Sequence, residues 1–280
     1  MKYFIFVFLL LSSFLGAAPY NQVLVTVAPH QGFVERIAGD QVKAVLVVPE
    51  GASSHTYEPS PRQMLGLSQS DAWFQLGETF EPRAAKALLM QNPQMRLIDM
   101  RQDVNLIKDV ACACAHHASN DPHYWLSPKE AKIQAQTITK ILAELYPEKA
   151  SLFENNLNGL LQELTDLDHE LSAILEPLKT RVVMVAHPAY AYLARDYGLT
   201  QLSIETEGRD PTPRQLTNIL EKAQCLKVTK LFTQKQYSDK GARLIAKQLN
   251  IKIVVLDPYA KDYFSAMRYI GKQFAESYSP

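Results

Sequence analysis

Between Glu148 and Leu178 the apolar residues Ala150, Phe153, Leu157, Leu160, Leu161, Leu164, Leu167, Leu171, Ile174, Leu175 and Leu178 recur at intervals of three and four. Such spacing holds one apolar stripe on one face of an α-helix over about thirty residues, a rod on the order of 45 Å long. Pro147 ends whatever helix precedes it. An isolated coiled coil is the simpler reading of the stripe, but it lies between two regions of strand-forming sequence, which favours a spine joining two bodies.

Both flanking regions alternate strands with helices. Ahead of the spine, strand signals at 23–27, 42–48, 72–76 and 96–98 are separated by helical stretches near 32–38, from Pro61 and near 82–90. A further helix is expected from Pro128 to about Tyr146. Behind it, strands at 182–186, 201–204, 230–233 and 251–256 alternate with helices at 189–197, 213–225 and 239–249, and a last helix closes the chain at 263–278. Alternation of this kind predicts parallel sheets covered by helices. The expected fold class is therefore α/β: two similar lobes, residues 19–146 and 180–280, joined by one long backbone helix over 147–179.

Lys2, the unbroken apolar run Tyr3–Leu11 and the small residues up to Ala18 have the layout of a secretory signal peptide over residues 1–18. That run is too short to span a bilayer comfortably, and no later stretch approaches 18 consecutive apolar residues. Lys plus Arg equals Asp plus Glu at 29 each, so the chain carries no electrostatic footprint for nucleic acid. The three cysteines, Cys112, Cys114 and Cys225, cannot all pair within one molecule.

Three helix starts share one punctuation: Ser60-Pro61-Arg62-Gln63, Ser127-Pro128-Lys129-Glu130 and Thr212-Pro213-Arg214-Gln215. Each reads as a capping box with proline in the first turn. His55 and His123 stand a few residues before the first two. Ligands of open α/β sheets bind beyond the carboxyl ends of parallel strands. His55 follows the second strand, His187 follows the first strand of the second half directly, and Asp257 follows the last strand. Singly, each has a bland reading as a loop or strand-end residue bonded to its own turn. Together with His123, two from each lobe, they make a three-imidazole, one-carboxylate set suited to a divalent transition metal, zinc above all. Calcium and magnesium would want more oxygen ligands, and copper(I) would want sulfur. Helix N-termini near His55 and His123 repel a cation, so a carboxylate on the facing lobe would offset them. Cys112, Cys114, His116 and His117 form a short cluster that reads equally as a metal-capturing antenna or an inconsequential loop, and Glu205, Glu207 and Asp210 read as a solvated acidic patch.

The runs Ser54-His55-Thr56-Tyr57-Glu58-Pro59-Ser60-Pro61, Asp121-Pro122-His123-Tyr124-Trp125-Leu126-Ser127-Pro128, His187-Pro188-Ala189-Tyr190-Ala191-Tyr192-Leu193 and Leu256-Asp257-Pro258 resemble the metal-site motifs of the zinc/manganese substrate-binding proteins of ABC transporters. The resemblance spans essentially the whole mature chain. It implies two α/β lobes on a rigid linking helix, a metal ion held between them by His55, His123, His187 and Asp257, and delivery to a membrane ABC permease. It also implies that His at the third ligand position, where manganese-type members often have a carboxylate, marks a zinc-type member. The expected protein is a periplasmic, monomeric Zn2+ receptor for metal import and not an enzyme, with Mn2+ or Fe2+ left open as cargo. A secreted zinc hydrolase is the rival from another class, but the chain has neither His-Glu-x-x-His nor Gly-x-Ser-x-Gly. A surface adhesin is a third reading; no adhesive repeat supports it.

Overall fold

The first lobe is a parallel sheet of β1 (Gln22–Val25), β2 (Lys43–Leu46), β3 (Ala72–Gln75) and β4 (Arg96–Asp99) in the order β2-β1-β3-β4, connected by α1 (Ala28–Ala38), α2 (Pro61–Leu67) and α3 (Glu81–Gln91). Helices α4 (Pro128–Leu145) and α5 (Ala150–Leu175) follow. The second lobe repeats the plan: β5 (Val182–Val185), β6 (Thr200–Ser203), β7 (Lys230–Gln234) and β8 (Lys252–Leu256) lie in the order β6-β5-β7-β8, all parallel. Helices α6 (Ala191–Tyr197), α7 (Pro213–Cys225) and α8 (Lys240–Leu249) connect them, and α9 (Tyr263–Ala275) closes the chain. The structure, a computed structural model, describes residues 20–108, 120–178, 181–205 and 211–278. The leader expected over 1–18, the Cys112, Cys114, His116 and His117 cluster, and Glu207 and Asp210 lie outside them. Among the described residues no helix is long and apolar enough to cross a membrane.

Three helices begin elsewhere than expected; the spine α5 starts at Ala150 rather than Pro147, behind a separate 3-10 turn at Pro147–Lys149. Helix α1 starts at Ala28 rather than near Gly32, because Pro29 sits in its first turn, where a missing N–H is harmless. Helix α6 starts at Ala191 rather than Ala189, since the backbone from His187 to Tyr190 is used as a loop.

The 26-residue α5 is the spine, about 39 Å long. Its stripe buries Phe153, Leu160, Leu164, Leu167, Leu171 and Leu175 against α1, α4 and α9. One continuous core results, running from Val23 and Val25 of β1 through the spine leucines to Val183 and Val185 of β5. Side chains alternate across a strand. Leu24 and Met184, between those pairs, therefore point the other way, into separate outer layers of each lobe. The α5–α9 contact is tight: a Cβ added at Gly271 would fall 2.4 Å from a methyl of Leu171.

Several contacts join the lobes beside the spine. The β8–α9 loop reaches into the first lobe, where Trp125 Nε1 donates to the carbonyl of Pro258 at 2.8 Å. A Cβ at Gly32 of α1 would meet the Lys261 carbonyl oxygen at 2.6 Å. From α6, the Tyr192 hydroxyl donates to the Asp121 carbonyl at 2.8 Å and accepts from Ile107 N at 3.0 Å.

His30 of α1 is wholly buried, with Nε2 2.5 Å from Gln134 Oε1 of α4 and no partner for Nδ1. Burial lowers its pKa to about 4, against the opposing effect of the Gln134 bond. The unfolded chain therefore binds this proton more readily than the folded one between pH 6.5 and about 4. Stability falls across that window as the pH drops, by at most about 1.4 kcal/mol per unit from this group. Urea titrations of His30→Leu at pH 7 and pH 4.5 should show a flatter acid limb than wild type; an identical slope would refute the assignment.

Candidate metal centre

Two helix starts fix the loops that carry the first lobe's histidines. Ser60 Oγ accepts from Gln63 N at 3.3 Å, as its capping role requires. The Gln63 side chain does not fold back on Ser60. It bonds the Tyr57 hydroxyl and donates to the Val47 carbonyl at 2.7 Å, pinning both ends of the loop around His55. At the second start, Ser127 Oγ accepts from Glu130 N at 3.1 Å and its hydroxyl donates to Asp196. The Glu130 carboxylate is diverted to Arg195 at 2.6 Å and Asn105 N at 3.3 Å, tying α4 to α6. Thr212 and Gln215 form both bonds of the capping box. Near the site, the residues expected to complete the box serve loops and lobes instead.

His55, His123 and His187 converge. One ring nitrogen of each lies within 4.8 Å of the others. The Nε2 atoms of His55 and His187 are 3.3 Å apart, and those of His187 and His123 are 3.4 Å apart. A tetrahedron with metal–nitrogen arms of ~2.05 Å has edges of ~3.35 Å. The two cross-lobe spacings therefore match two edges of a tetrahedral zinc shell. His123 and His187 are buried and His55 is half-buried.

Behind each imidazole stands a carboxylate. His55 Nδ1 lies 3.0 Å from Glu78 Oε2, His123 Nδ1 lies 2.8 Å from Asp121 Oδ1, and His187 Nδ1 lies 2.8 Å from Glu205 Oε2. A carboxylate accepts, so each Nδ1 carries a proton, and in the neutral form of each ring Nε2 turns a lone pair toward the common point. Burial pulls His55 down, but the Glu78 bond and the charges of Glu78, Asp121 and Glu205 outweigh it, and its pKa ends above the usual value. Burial pushes Glu78 up, yet the His55 bond and charge with the Ser54 bond hold it below the usual carboxylate range. His187 is driven far down, by burial first and then by His123 and His55. It stays neutral, the form in which an imidazole can bind a metal.

The sequence did not assign these three carboxylates. Glu205, read as part of a solvated patch, is instead His187's partner. Glu78 and Glu205 follow β3 and β6, so the strand-end rule that picked out the histidines reaches them too. Asp121 sits two positions before His123 and also accepts from His123 N at 2.8 Å, which locks that turn.

Asp257 follows β8 as expected, but its carboxylate bonds Lys235 Nζ at 3.2 Å, Gln236 Nε2 at 2.9 Å and Tyr259 N at 3.2 Å. It is not in the group of mutually close ligand atoms. The negative charge expected of it is available from behind the imidazoles, where Glu78, Asp121 and Glu205 surround the point. The Tyr237 ring stacks on His187 at 3.9 Å between centroids and 14° between planes.

The chain is similar to several known proteins over nearly its whole length. A putative metal-binding protein of Chlamydia trachomatis serovar D is 32% identical over 256 residues, 91% of each chain. The zinc-binding lipoprotein AdcA of Streptococcus pneumoniae R6 is 27% identical over 84% of this chain, which spans 49% of that protein. Among solved structures, ZnuA is 37% identical with a TM-score of 0.86, covering 92% of this chain and 99% of that one. A zinc-bound deletion mutant of ZnuA gives the same identity and score over 98% of its length. The manganese complex of FpvC from Pseudomonas aeruginosa, 23% identical with a TM-score of 0.80, shares the fold. The family model of ZnuA, the periplasmic component A of the zinc-uptake complex, matches residues 23–277, and the chain belongs to that family.

Proposed function

We propose that this protein is a periplasmic zinc receptor that captures one ion between its lobes and delivers it to a membrane ABC permease for import, as a monomeric carrier and not an enzyme. The convergence of three Nε2 atoms at tetrahedral spacing carries the reading. Carboxylate-backed imidazoles of one tautomer are the arrangement that zinc ligands adopt. Zinc-binding AdcA and zinc-bound ZnuA among the relatives support zinc as cargo.

His55, His123 and His187 are its direct ligands in this reading. Asp257, the fourth donor suggested by the sequence, has its carboxylate bonded to Lys235 and Gln236 and stands outside the converging group. Elemental analysis of the mature protein after dialysis should find about one zinc per chain. Recovery of manganese or iron from a mixture containing zinc would overturn the zinc assignment, and metal-dependent turnover of an ester or peptide would favour a hydrolase. For Asp257→Asn, chelator competition should show a loss of less than about tenfold, the lower bound for losing a group that supports a ligand. A loss well beyond that would make Asp257 a ligand in its own right.

A further inference from the structure

His55 and His187 belong to different lobes, and a chain of hydroxyl groups links their surroundings. Glu78, whose Oε2 takes the His55 proton, accepts at Oε1 from Ser54 Oγ at 2.6 Å. Ser54 is wholly buried and directly precedes His55. Its oxygen lies 3.2 Å from the Tyr259 hydroxyl, which lies 3.0 Å from the Tyr237 hydroxyl. Tyr237 is the residue whose ring stacks on His187.

Proton counting fixes the direction of this chain. The Glu78 carboxylate can only accept, so the Ser54 proton goes to it. Ser54 Oγ is then left to accept from Tyr259, and the Tyr259 oxygen to accept from Tyr237. The order Tyr237→Tyr259→Ser54→Glu78 has one arrangement of protons, crosses from the second lobe to the first, and ends on the carboxylate that orients His55. Ser54 and Tyr259 are buried and Tyr237 is half-buried, and hydrogen-bonded chains away from water hold geometry more firmly than exposed ones.

We infer that the Tyr237–Tyr259–Ser54 chain is a clasp that sets the separation of His55 from His187 and so makes the site discriminate for a tetrahedral ion. This rests on the reading of the three imidazoles as ligands of a carried ion. The cross-lobe edge of 3.3 Å suits a tetrahedral shell, whereas manganese prefers six ligands and more oxygen among them. Releasing the clasp lets that edge relax. Zinc then loses affinity while manganese does not lose in proportion. Tyr259 and Tyr237 are positioning residues here, acting through Ser54, Glu78 and the His187 ring.

The test compares zinc and manganese affinities of the full mature chain by chelator competition, for wild type, Tyr259→Phe and Tyr237→Phe. Each substitution keeps the ring and removes one hydroxyl. Tyr259→Phe, which removes the bonds to both Ser54 and Tyr237, should weaken zinc binding about 3- to 10-fold, of the order of a buried hydrogen bond, and lower the zinc-to-manganese ratio of affinities. Tyr237→Phe, which leaves the Tyr259–Ser54 bond in place, should move the ratio the same way by less. A structural role alone would weaken both metals together. An unchanged ratio in Tyr259→Phe, or in Tyr237→Phe should the first fail to fold, overturns the clasp. Failure of wild type itself to bind zinc would instead overturn the carried-ion reading, and the clasp with it.

Discussion

Replacing His123 by alanine is expected to lower zinc affinity by at least about 100-fold, because losing a group that merely supports a ligand already costs 10- to 100-fold. His123 is 3% exposed and its Nε2 lies 3.4 Å from that of His187, so it sits inside the convergence rather than on its rim. Alanine also removes the Nδ1–H that Asp121 holds, leaving that carboxylate with the backbone N–H of residue 123 and no imidazole to orient. Competition against a chelator of known affinity measures the loss, with far-ultraviolet circular dichroism to establish that the variant is folded. A folded variant within tenfold of wild type would remove His123 from the ligand set.

The second large effect is on stability. Leu171 on the spine is fully buried, touches the α9 backbone at Gly271, and belongs to the core that both lobes share. Leu171→Ala is expected to cost about 2–5 kcal/mol, the range for truncating a core leucine, as lost burial and a residual cavity. Because the core is continuous, both lobes should lose stability together in one urea transition. Two transitions, or a loss below about 1 kcal/mol, would mean that the spine is a tether and not a shared wall. The folded fraction should keep wild-type zinc affinity, which separates this effect from that of His123→Ala.

Periodicity and chain punctuation made most of the architecture legible. The spacing of Leu160, Leu164, Leu167 and Leu171 can only be satisfied by a long helix with one buried face, and the structure buries that set. Alternating strands and helices gave both parallel sheets, though not their strand order, which depends on which crossover packs where. That His55 and His187 would come together was legible because strand ends are where an open sheet binds ligands, whereas His123 was marked by the helix start that follows it. Their supporting carboxylates were not, since Glu205 and Glu78 are ordinary acidic residues until the fold places each 3.0 Å or less from an imidazole. Gln63 and Glu130 also escaped the local rule. A capping box is worth little beside a loop or lobe contact, so tertiary structure redirected both side chains.

The proton on each Nδ1 has a bearing on how the ion is exchanged. Glu78, Asp121 and Glu205 hold those three protons on the outer nitrogens, on the side of each ring away from the common point. An ion that meets the three Nε2 atoms therefore need not displace these Nδ1 protons, while the raised pKa of His55 means that in acidic medium its ring gives up a proton to loading. A receptor built this way differs in net charge between its empty and loaded forms, by up to that of the ion, and the difference is felt around the site over a screening length of about 8–10 Å.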